Sequence, residues 1–413
     1  MRYKEDENMS LKIAKIEELP RLTADKIAAG EVIERPVSII KELIENSIDA
    51  GASAITVEIK NGGKSYIRVT DNGSGILKED VEMAFKRHAT SKLHSITDLD
   101  ALATLGFRGE ALSSIAAVSR TELITCTEDA ETGTNIHIEG SVVAQISEIG
   151  CQHGTTVIVR DLFYNTPARM KFMKKDNTES SLIIDFVSKM ALAYPNIRMR
   201  LINNDSTLFS TPGRGERFTA IATIYDPQMA EKLIKIDASD KNGMSIEGYI
   251  SAPDATRASR INQIFFVNGR YVQNKLIEAA VKEAYREKVF EGRYPMAFLF
   301  IDVKPDTLDV NIHPNKKDVK FDNEAVVKNF IISTIKSGLY TPEAVPQIHF
   351  RKDSVSSIRE NVEQPLIKTN QEKLDIQKIL SEERAAENRR NQAINNAFIN
   401  DTPIDSLDRK SVV

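Results

Sequence analysis

Tryptophan is missing from the chain, and aromatic residues make up only 6% of it, which disfavours base stacking as the main mode of any nucleic-acid contact. Cysteine is almost missing too. Cys126 and Cys151 are the only two, too far apart in sequence for metal-ligand spacing or a disulfide framework, so a reducing cytosol is their simplest home. No apolar run reaches the roughly 18 residues of a membrane helix, and the opening MRYKEDENMS lacks the apolar core of a secretion signal. Met9 is an alternative start, with Met1 to Asn8 as a disordered extension. The charge balance is also unremarkable. A formal net charge of -4 excludes a globally basic nucleic-acid coat, although 55 Lys and Arg residues can still be segregated into a local groove.

What is present is a chain of 413 residues, 28% charged and 41% hydrophobic, a soluble globular composition long enough for two or three domains. LPRLTADKIAAGEVIERPVSIIKELIENSIDAG reads as a short helix capped by Thr23 and Asp25, then a long helix with Pro36 in its first turn. AITVEIKNGGKSYIRVTDNG alternates on both sides of Asn61-Gly62-Gly63, a hairpin signature. LKEDVEMAFKRHA has helical amphipathicity. HSITDLDALATLGFRGEALSSIAAV holds two helices broken at Gly106 to Gly109, and TELITCTED through GTTVIVRDLF is a series of strands. These elements imply helices on one face of a largely antiparallel sheet. A boundary falls near Gly213 to Glu216. Helix FTAIATIY, strands MSIEGYISA and NQIFFVNGRYV, helix KLIEAAVKEAYREKV, strand MAFLFIDV and a helix after Phe321 then form a second α/β unit. Beyond Tyr340, balanced charge, few aromatics and scattered Pro, Ser, Gln and Asn favour a solvated linker. Within it QEKLDIQKILSEERAAENRRNQAINNAF is at most a marginal lone helix. The stop after such a linker suggests a fragment whose remainder is another domain.

Chemistry concentrates in four segments. In KELIENSIDAG, Glu42, Glu45, Asn46 and Asp49 form one polar stripe of a helix, with Ile40, Leu43, Ile44 and Ile48 opposite. Like charges at this spacing repel. The stripe therefore fits either a solvated surface or a cation or reacting group facing it. Asp71-Asn72-Gly73-Ser74-Gly75 is either a plain turn or a loop whose glycines admit a ligand to the backbone while the carboxylate accepts from an amino-bearing base. Gly106-Phe107-Arg108-Gly109-Glu110 is either a helix break or an anion cradle suited to a phosphate chain. Arg87-His88-Ala89-Thr90-Ser91-Lys92 adds hydroxyls and cations to a long connection able to close as a lid. Gly63-Lys64-Ser65 imitates a P-loop, but Glu58 stands where its first glycine belongs and the segment is a hairpin turn, so that fold is rejected. Arg169, Lys171, Lys174 and Lys175, with Arg257, Arg260, Arg270 and Lys275, either line one groove or form solvated basic faces. A groove would give sequence-independent, salt-sensitive DNA affinity.

In order, ELIENSIDAGA, DNGSGI, RHATSK, GFRGEAL, GTTVIVRDLFYNTPARMKF, FVNGR and HPNKKDV resemble the MutL mismatch-repair ATPases, within the GHKL superfamily of gyrase-type topoisomerases, heat-shock chaperones, histidine kinases and MutL. The resemblance runs from about Ile16 to Phe330. It implies an α+β chain: an extension over 1–15, a Bergerat-type α/β sandwich ATPase domain over 16–215, a transducer domain of ribosomal-S5-like α/β type over 216–340, and a largely disordered linker over 341–413. It also implies roles. Glu42 is the general base that orients water against the γ-phosphate of ATP, and Asn46 is the Mg2+ ligand. Asp71 reads the adenine amino group, with Gly73 and Gly75 permitting approach and Thr155 or Thr156 supporting the base pocket. Thr90, Ser91 and Lys92 belong to the lid. Amides of Arg108, Gly109, Glu110, Ala111 and Leu112 hold the phosphates. Lys316, with Lys317 the weaker candidate, reaches the γ-phosphate from the second domain. Glu45 is left without a resolved role, and Asp49 is assigned to helix-end structure. The partners implied are DNA without sequence preference, a second copy in an ATP-dependent homodimer, a MutS-type mismatch-recognition protein and downstream repair factors, in the cytoplasm at the nucleoid and without a membrane. A type II topoisomerase ATPase subunit and a non-enzymatic DNA-binding scaffold are the competing readings.

Overall fold

Residues 18–91, 109–241, 243–309 and 319–340 are described by the computed structural model of the chain. The first helix, α1 (Arg21–Val32), starts behind Pro20, whose carbonyl already accepts from Thr23 N at 2.8 Å and Ala24 N at 3.0 Å. Thr23 and Asp25 therefore lie inside the helix and do not cap it. Asp25 instead receives Arg87 Nε at 3.1 Å. Pro36 opens α2 (Pro36–Asp49) at its first position, as expected, and Ile39, Ile40, Leu43, Ile44 and Ser47 form its buried side. A turn at Asn61–Gly63 then joins β1 (Ala54–Lys60) to β2 (Tyr66–Asp71) in antiparallel register. The turn contains two consecutive glycines at positive φ, at 69° and 77°, a conformation open to glycine at little cost.

The chain continues through α3 (Ala111–Ala117), β3 (Arg120–Cys126), β4 (Gly133–Glu139), β5 (Val142–Ile149), β6 (Gly154–Arg160), α4 (Pro167–Phe172), α5 (Asp176–Ala193), β7 (Arg198–Asn203) and β8 (Ser206–Ser210). These strands form an eight-stranded sheet in the order β5-β4-β3-β6-β2-β1-β7-β8. Every pairing is antiparallel except β1 with β7. Ile55, Val57, Ile67, Val69, Leu123 and Val159 share one core with Ile40, Ile44, Ile115 and Ile183 of the helices. That core fixes where α2 stands over the sheet. Leu77 to Phe85 departs from the expected amphipathic helix and forms two short 3-10 turns, Lys78–Asp80 and Met83–Phe85. Leu77 is 52% and Met83 48% exposed, and of this stretch only Val81 is buried. Without a continuous apolar stripe in the core, a short helix lacks its main stabilisation.

The second unit comprises α6 (Arg217–Ile224), α7 (Pro227–Ala230), β9 (Leu233–Ser239), β10 (Ser245–Ser251), β11 (Thr256–Arg257), β12 (Gln263–Val267), β13 (Arg270–Val272), α8 (Lys275–Ala284), β14 (Tyr294–Pro295), β15 (Ala297–Asp302), β16 (Leu308–Asp309), β17 (Lys320–Phe321) and α9 (Glu324–Tyr340). Its main sheet runs β13-β12-β15-β10-β9, with β12 and β15 parallel. Strand alternation sends Phe265, Leu299 and Ile301 toward α8 and α9, and Phe266, Phe298 and Phe300 toward α6, α7 and Leu192 of α5. The edge strand β9 has no counterpart in the sequence reading. Helix α8 ends at Ala284, short of the expected Val289. Among the described residues, no helix is long and apolar enough to cross a membrane. The lone helix expected after residue 370 lies outside the described residues.

Candidate functional site

One polar residue interrupts the buried side of α2. Ser47 follows Leu43 by four positions and is 3% exposed, so its hydroxyl needs a partner in the protein. Its Oγ lies 3.0 Å from the Leu43 carbonyl and 2.7 Å from Asp71 Oδ2, tying the helix to the end of β2. The other carboxylate oxygen, Asp71 Oδ1, accepts from Gly73 N at 2.8 Å and from Thr155 N at 3.3 Å. Both oxygens are thus held in a fixed plane by neutral donors, with lone-pair capacity left for one more. The half-buried Asp71 side chain can accept a hydrogen bond from a ligand that enters beside α2.

The loop after Asp71 is built from its side chains. Asn72 Oδ1 accepts from Ser53 N at 3.0 Å and Ala54 N at 2.8 Å, while its Nδ2 donates to Ser53 Oγ at 2.9 Å. A Cβ at Gly73 would meet Ala50 Cβ at 2.8 Å and the Ala50 carbonyl oxygen at 2.9 Å. Gly75 has φ 73° and would put a Cβ 2.3 Å from the Cys126 carbonyl oxygen. These two glycines are therefore required by close packing of the loop on α2 and β3. Thr125 Oγ1 accepts from Ile76 N at 2.9 Å and lies 3.0 Å from Thr155 Oγ1. Thr155 shares the face of Asp71, its direct cross-strand partner. Thr156 does not. Its Oγ1 donates to Thr70 Oγ1 at 3.1 Å on the sheet's other side, because successive strand residues point to opposite faces. Of the two alternatives, Thr155 is thus the one on the face of Asp71.

Along α2, Glu42 and Asn46 lie four residues apart and are partly exposed with Glu45 and Asp49. Lys41 Nζ stands 3.8 Å from Glu42 Oε1 and 3.9 Å from Glu45 Oε1, which offsets part of the repulsion along the stripe. Asp49 and Glu45 also act on Tyr194 at the end of α5. Burial first, and then these two carboxylates, push its phenol above the ordinary value, while Arg270 pulls it down. The phenol therefore stays protonated at neutral pH, available as a donor toward the acids.

The two borders of the expected lid meet. His88 N donates to the Gly109 carbonyl at 3.1 Å, and His88 Nδ1 lies 3.4 Å from Glu110 Oε1. Gly109 has φ 61° and no room for a Cβ beside the Ala89 carbonyl. Thr90 and Ser91 thus stand near the start of α3, where Glu110, Ala111 and Leu112 lie. Lys92, Arg108, Lys316 and Lys317 lie outside the described residues. A cavity of about 330 Å3 is lined by Asp25, Phe85, Arg87, Ser113, Ile138 and Val143 among others, and by none of Glu42, Asn46 or Asp71.

Of the basic residues, Arg169 packs its guanidinium over Gly30 of α1, where Nη2 donates to the Ile27 carbonyl at 3.3 Å. Lys174 is anchored through its backbone, with N donating to Glu179 Oε1 at 3.1 Å. Arg260 pairs with Glu278 at 2.6 Å and lies over the Tyr294 ring. Lys171, Arg257, Arg270 and Lys275 are exposed. Ser47 and Asn72 lie in segments that the sequence singles out, without a role of their own, and Thr125 stands outside those segments. For Ser47 the available signal was a hydroxyl on the apolar side of an amphipathic helix.

The comparisons with known proteins bear on the same segments. Residues 34–153 match the family described as histidine kinase-, DNA gyrase B-, and HSP90-like ATPase, and residues 221–340 match the family described as DNA mismatch repair protein, C-terminal domain. The DNA mismatch repair protein MutL of Agathobacter rectalis is 47% identical over 326 residues, covering 79% of this chain and 50% of that protein. MutL of Desulforamulus reducens is 44% identical over 327 residues, covering 79% and 51%. The solved Aquifex aeolicus MutL ATPase domain complexed with ADP superposes with TM-score 0.53 at 25% identity, covering 73% of this chain and 98% of that one. The crystal structure of the N-terminal domain of a DNA repair protein gives TM-score 0.64 at 25% identity, covering 76% and 97%. Fold and loop geometry define an ATPase domain of the GHKL class. Its second domain matches the C-terminal domain described for DNA mismatch repair proteins. The chain belongs to the MutL family, of which it carries the N-terminal ATPase region, and it spans about half the length of the curated relatives it matches.

Proposed function

We propose that the chain binds ATP with Mg2+, hydrolyses it to ADP and phosphate, and uses nucleotide binding to pair two copies into a switch or clamp on DNA. In that role it couples mismatch recognition by a MutS-type partner to downstream strand removal in the cytoplasm. The observation that carries the reading is the Asp71 carboxylate, fixed by Ser47, Gly73 and Thr155 beside the acidic face of α2. A carboxylate so held accepts from the adenine amino group, and Gly73 and Gly75 keep the loop packed close to it. Thr155 closes the base pocket.

Glu42 orients a water against the γ-phosphate as general base. Asn46, on the same face, offers one carboxamide oxygen to Mg2+. A single carboxamide oxygen fits the ion, because Mg2+ is commonly held by one or two protein oxygens with phosphates and water. When bound, the ion would offset the charge that develops on the phosphate oxygens. Backbone amides from Arg108 to Leu112 hold the phosphates, Thr90, Ser91 and Lys92 close over them, and Lys316 reaches the γ-phosphate from the transducer domain. The ATPase domain spans 16–215 and the transducer 216–340. For DNA, the exposed Lys171, Lys174, Arg257, Arg270 and Lys275 are better placed than Arg169 and Arg260, whose guanidinium groups already have partners. Glu42→Ala is expected to retain ATP affinity in a calorimetric titration while phosphate release falls by about 10²-fold or more, the usual loss for a general base. Near-normal turnover in that variant removes Glu42 from the chemistry.

A further inference from the structure

The two cysteines, far apart in sequence, converge at the end of the sheet that holds Asp71. Cys126 ends β3 and lies opposite Gly154 in register, while Cys151 sits in the connection that leads from β5 into the same Gly154. A Cβ built on Gly133 would stand 2.1 Å from Cys151 Sγ and 3.3 Å from Cys126 Cβ. Both side chains therefore crowd the space that this glycine leaves open. Burial, and then the neighbouring Cys126 sulphur, raise the Cys151 thiol above its ordinary value, so that oxidation draws on its minor thiolate fraction. Cys126 is 6% exposed, whereas Cys151 is partly open to solvent. One thiol of the pair is accessible, and the other waits behind it.

We propose that Cys126 and Cys151 form a redox-modifiable dithiol site that closes to a disulfide with a peroxide oxidant and thereby weakens nucleotide binding at Asp71. The Cys151 thiolate attacks one oxygen of hydrogen peroxide, an S–O bond forms as the O–O bond breaks, and hydroxide leaves to be protonated to water. Cys126, as thiolate, then attacks the sulfenic sulphur, forming the S–S bond and expelling the second oxygen as water. Two thiols lose two electrons and one peroxide becomes two waters.

The coupling follows from what each cysteine is attached to. A covalent S–S bond is shorter than any non-bonded contact between two sulphurs, so one side must move. Cys126 is held by β3 pairing and by the tight seat of Gly75 on its carbonyl. The Cys151 connection is the freer side, and it runs directly into Gly154 and Thr155. Gly154 has no room for even a Cβ against the Asp71 carbonyl, and Thr155 N is one of the donors that orient the Asp71 carboxylate. Drawing Cys151 inward disturbs that donor.

The effect on binding rests on the ATP reading, and the experiment separates the two. The full chain is treated with hydrogen peroxide, then with dithiothreitol, beside Cys151→Ser and Cys126→Ala, and followed by peptide mass mapping and ATP-analogue titration. The expected result is a Cys126–Cys151 linked peptide in the wild type, absent from both variants, with analogue affinity roughly tenfold weaker when oxidised and restored on reduction. Free thiols after treatment, sulfinic acid on Cys151 alone, or disulfides only between chains overturn the site. A linked peptide with unchanged affinity overturns the coupling. Reduced wild type that binds no analogue instead overturns the ATP reading and leaves the peptide result to judge the dithiol.

Discussion

The hydroxyl of Ser47 does for Asp71 what a second-strand amide does for its other oxygen: it fixes the direction in which the carboxylate faces. A hydrogen bond to a charged group contributes about 1.5–3 kcal/mol when buried, and the half-buried setting of Asp71 puts this one near the lower figure. Ser47→Ala is therefore expected to weaken binding of an ATP analogue roughly tenfold. Alanine suits a helix interior, which offsets part of the lost hydrogen bond, so the chemical denaturation midpoint should fall only modestly. Unchanged affinity with a lowered midpoint would make Ser47 a purely structural link between α2 and β2. At this scale the sequence carried the members of the polar stripe and of the glycine loop, and not the hydroxyls that hold them. Glu42, Asn46 and Asp71 announce themselves by polarity and spacing, whereas Ser47 and Thr125 matter through partners more than 20 residues away, which no local pattern encodes. The choice between Thr155 and Thr156 required the register of β2 with β6, since a shift of one residue exchanges the faces.

Elements were legible where periodicity and burial agreed. Helix α2 has both an apolar side and a proline at its first turn, and the β1–β2 hairpin has alternation with a glycine pair, so each form follows from local chemistry alone. The Leu77 to Phe85 stretch has helical periodicity without burial, and it folds as turns. Two substitutions separate these possibilities. Met83→Ser, at a position 48% exposed, should change unfolding free energy by no more than about 0.5 kcal/mol. Val81→Ala, at a position 1% exposed, should cost about 1–3 kcal/mol. Equal large losses at both positions, measured by denaturant titration, would restore an amphipathic helix packed through Met83. Strand β9 leaves little trace in the sequence because its Lys235 and Asp237 alternate with only a few buried residues, the weak pattern of an edge strand paired on one side.

The whole molecule is joined through α5. Its Leu192 enters the core beneath α6 and the second sheet, and Lys189, paired with Asp185 on the same helix, lies 3.9 Å from the centre of the Tyr271 ring in β13. A buried cation against an aromatic face contributes up to about 2 kcal/mol and gives the contact a preferred orientation. The helix that supports the floor of the candidate site thus also supports the domain from which Lys316 is proposed to reach it. If nucleotide binding closes the lid and draws that domain inward, two copies can pair only to the extent that the closed form binds nucleotide better than the open one. Size-exclusion chromatography with light scattering, with and without a non-hydrolysable ATP analogue and Mg2+, checks this directly. The chain is expected as a monomer alone and a dimer with analogue, and Lys189→Ala should require more analogue for the same dimer fraction. A chain that stays monomeric at analogue concentrations that saturate binding would leave an ATPase without a pairing switch in this region.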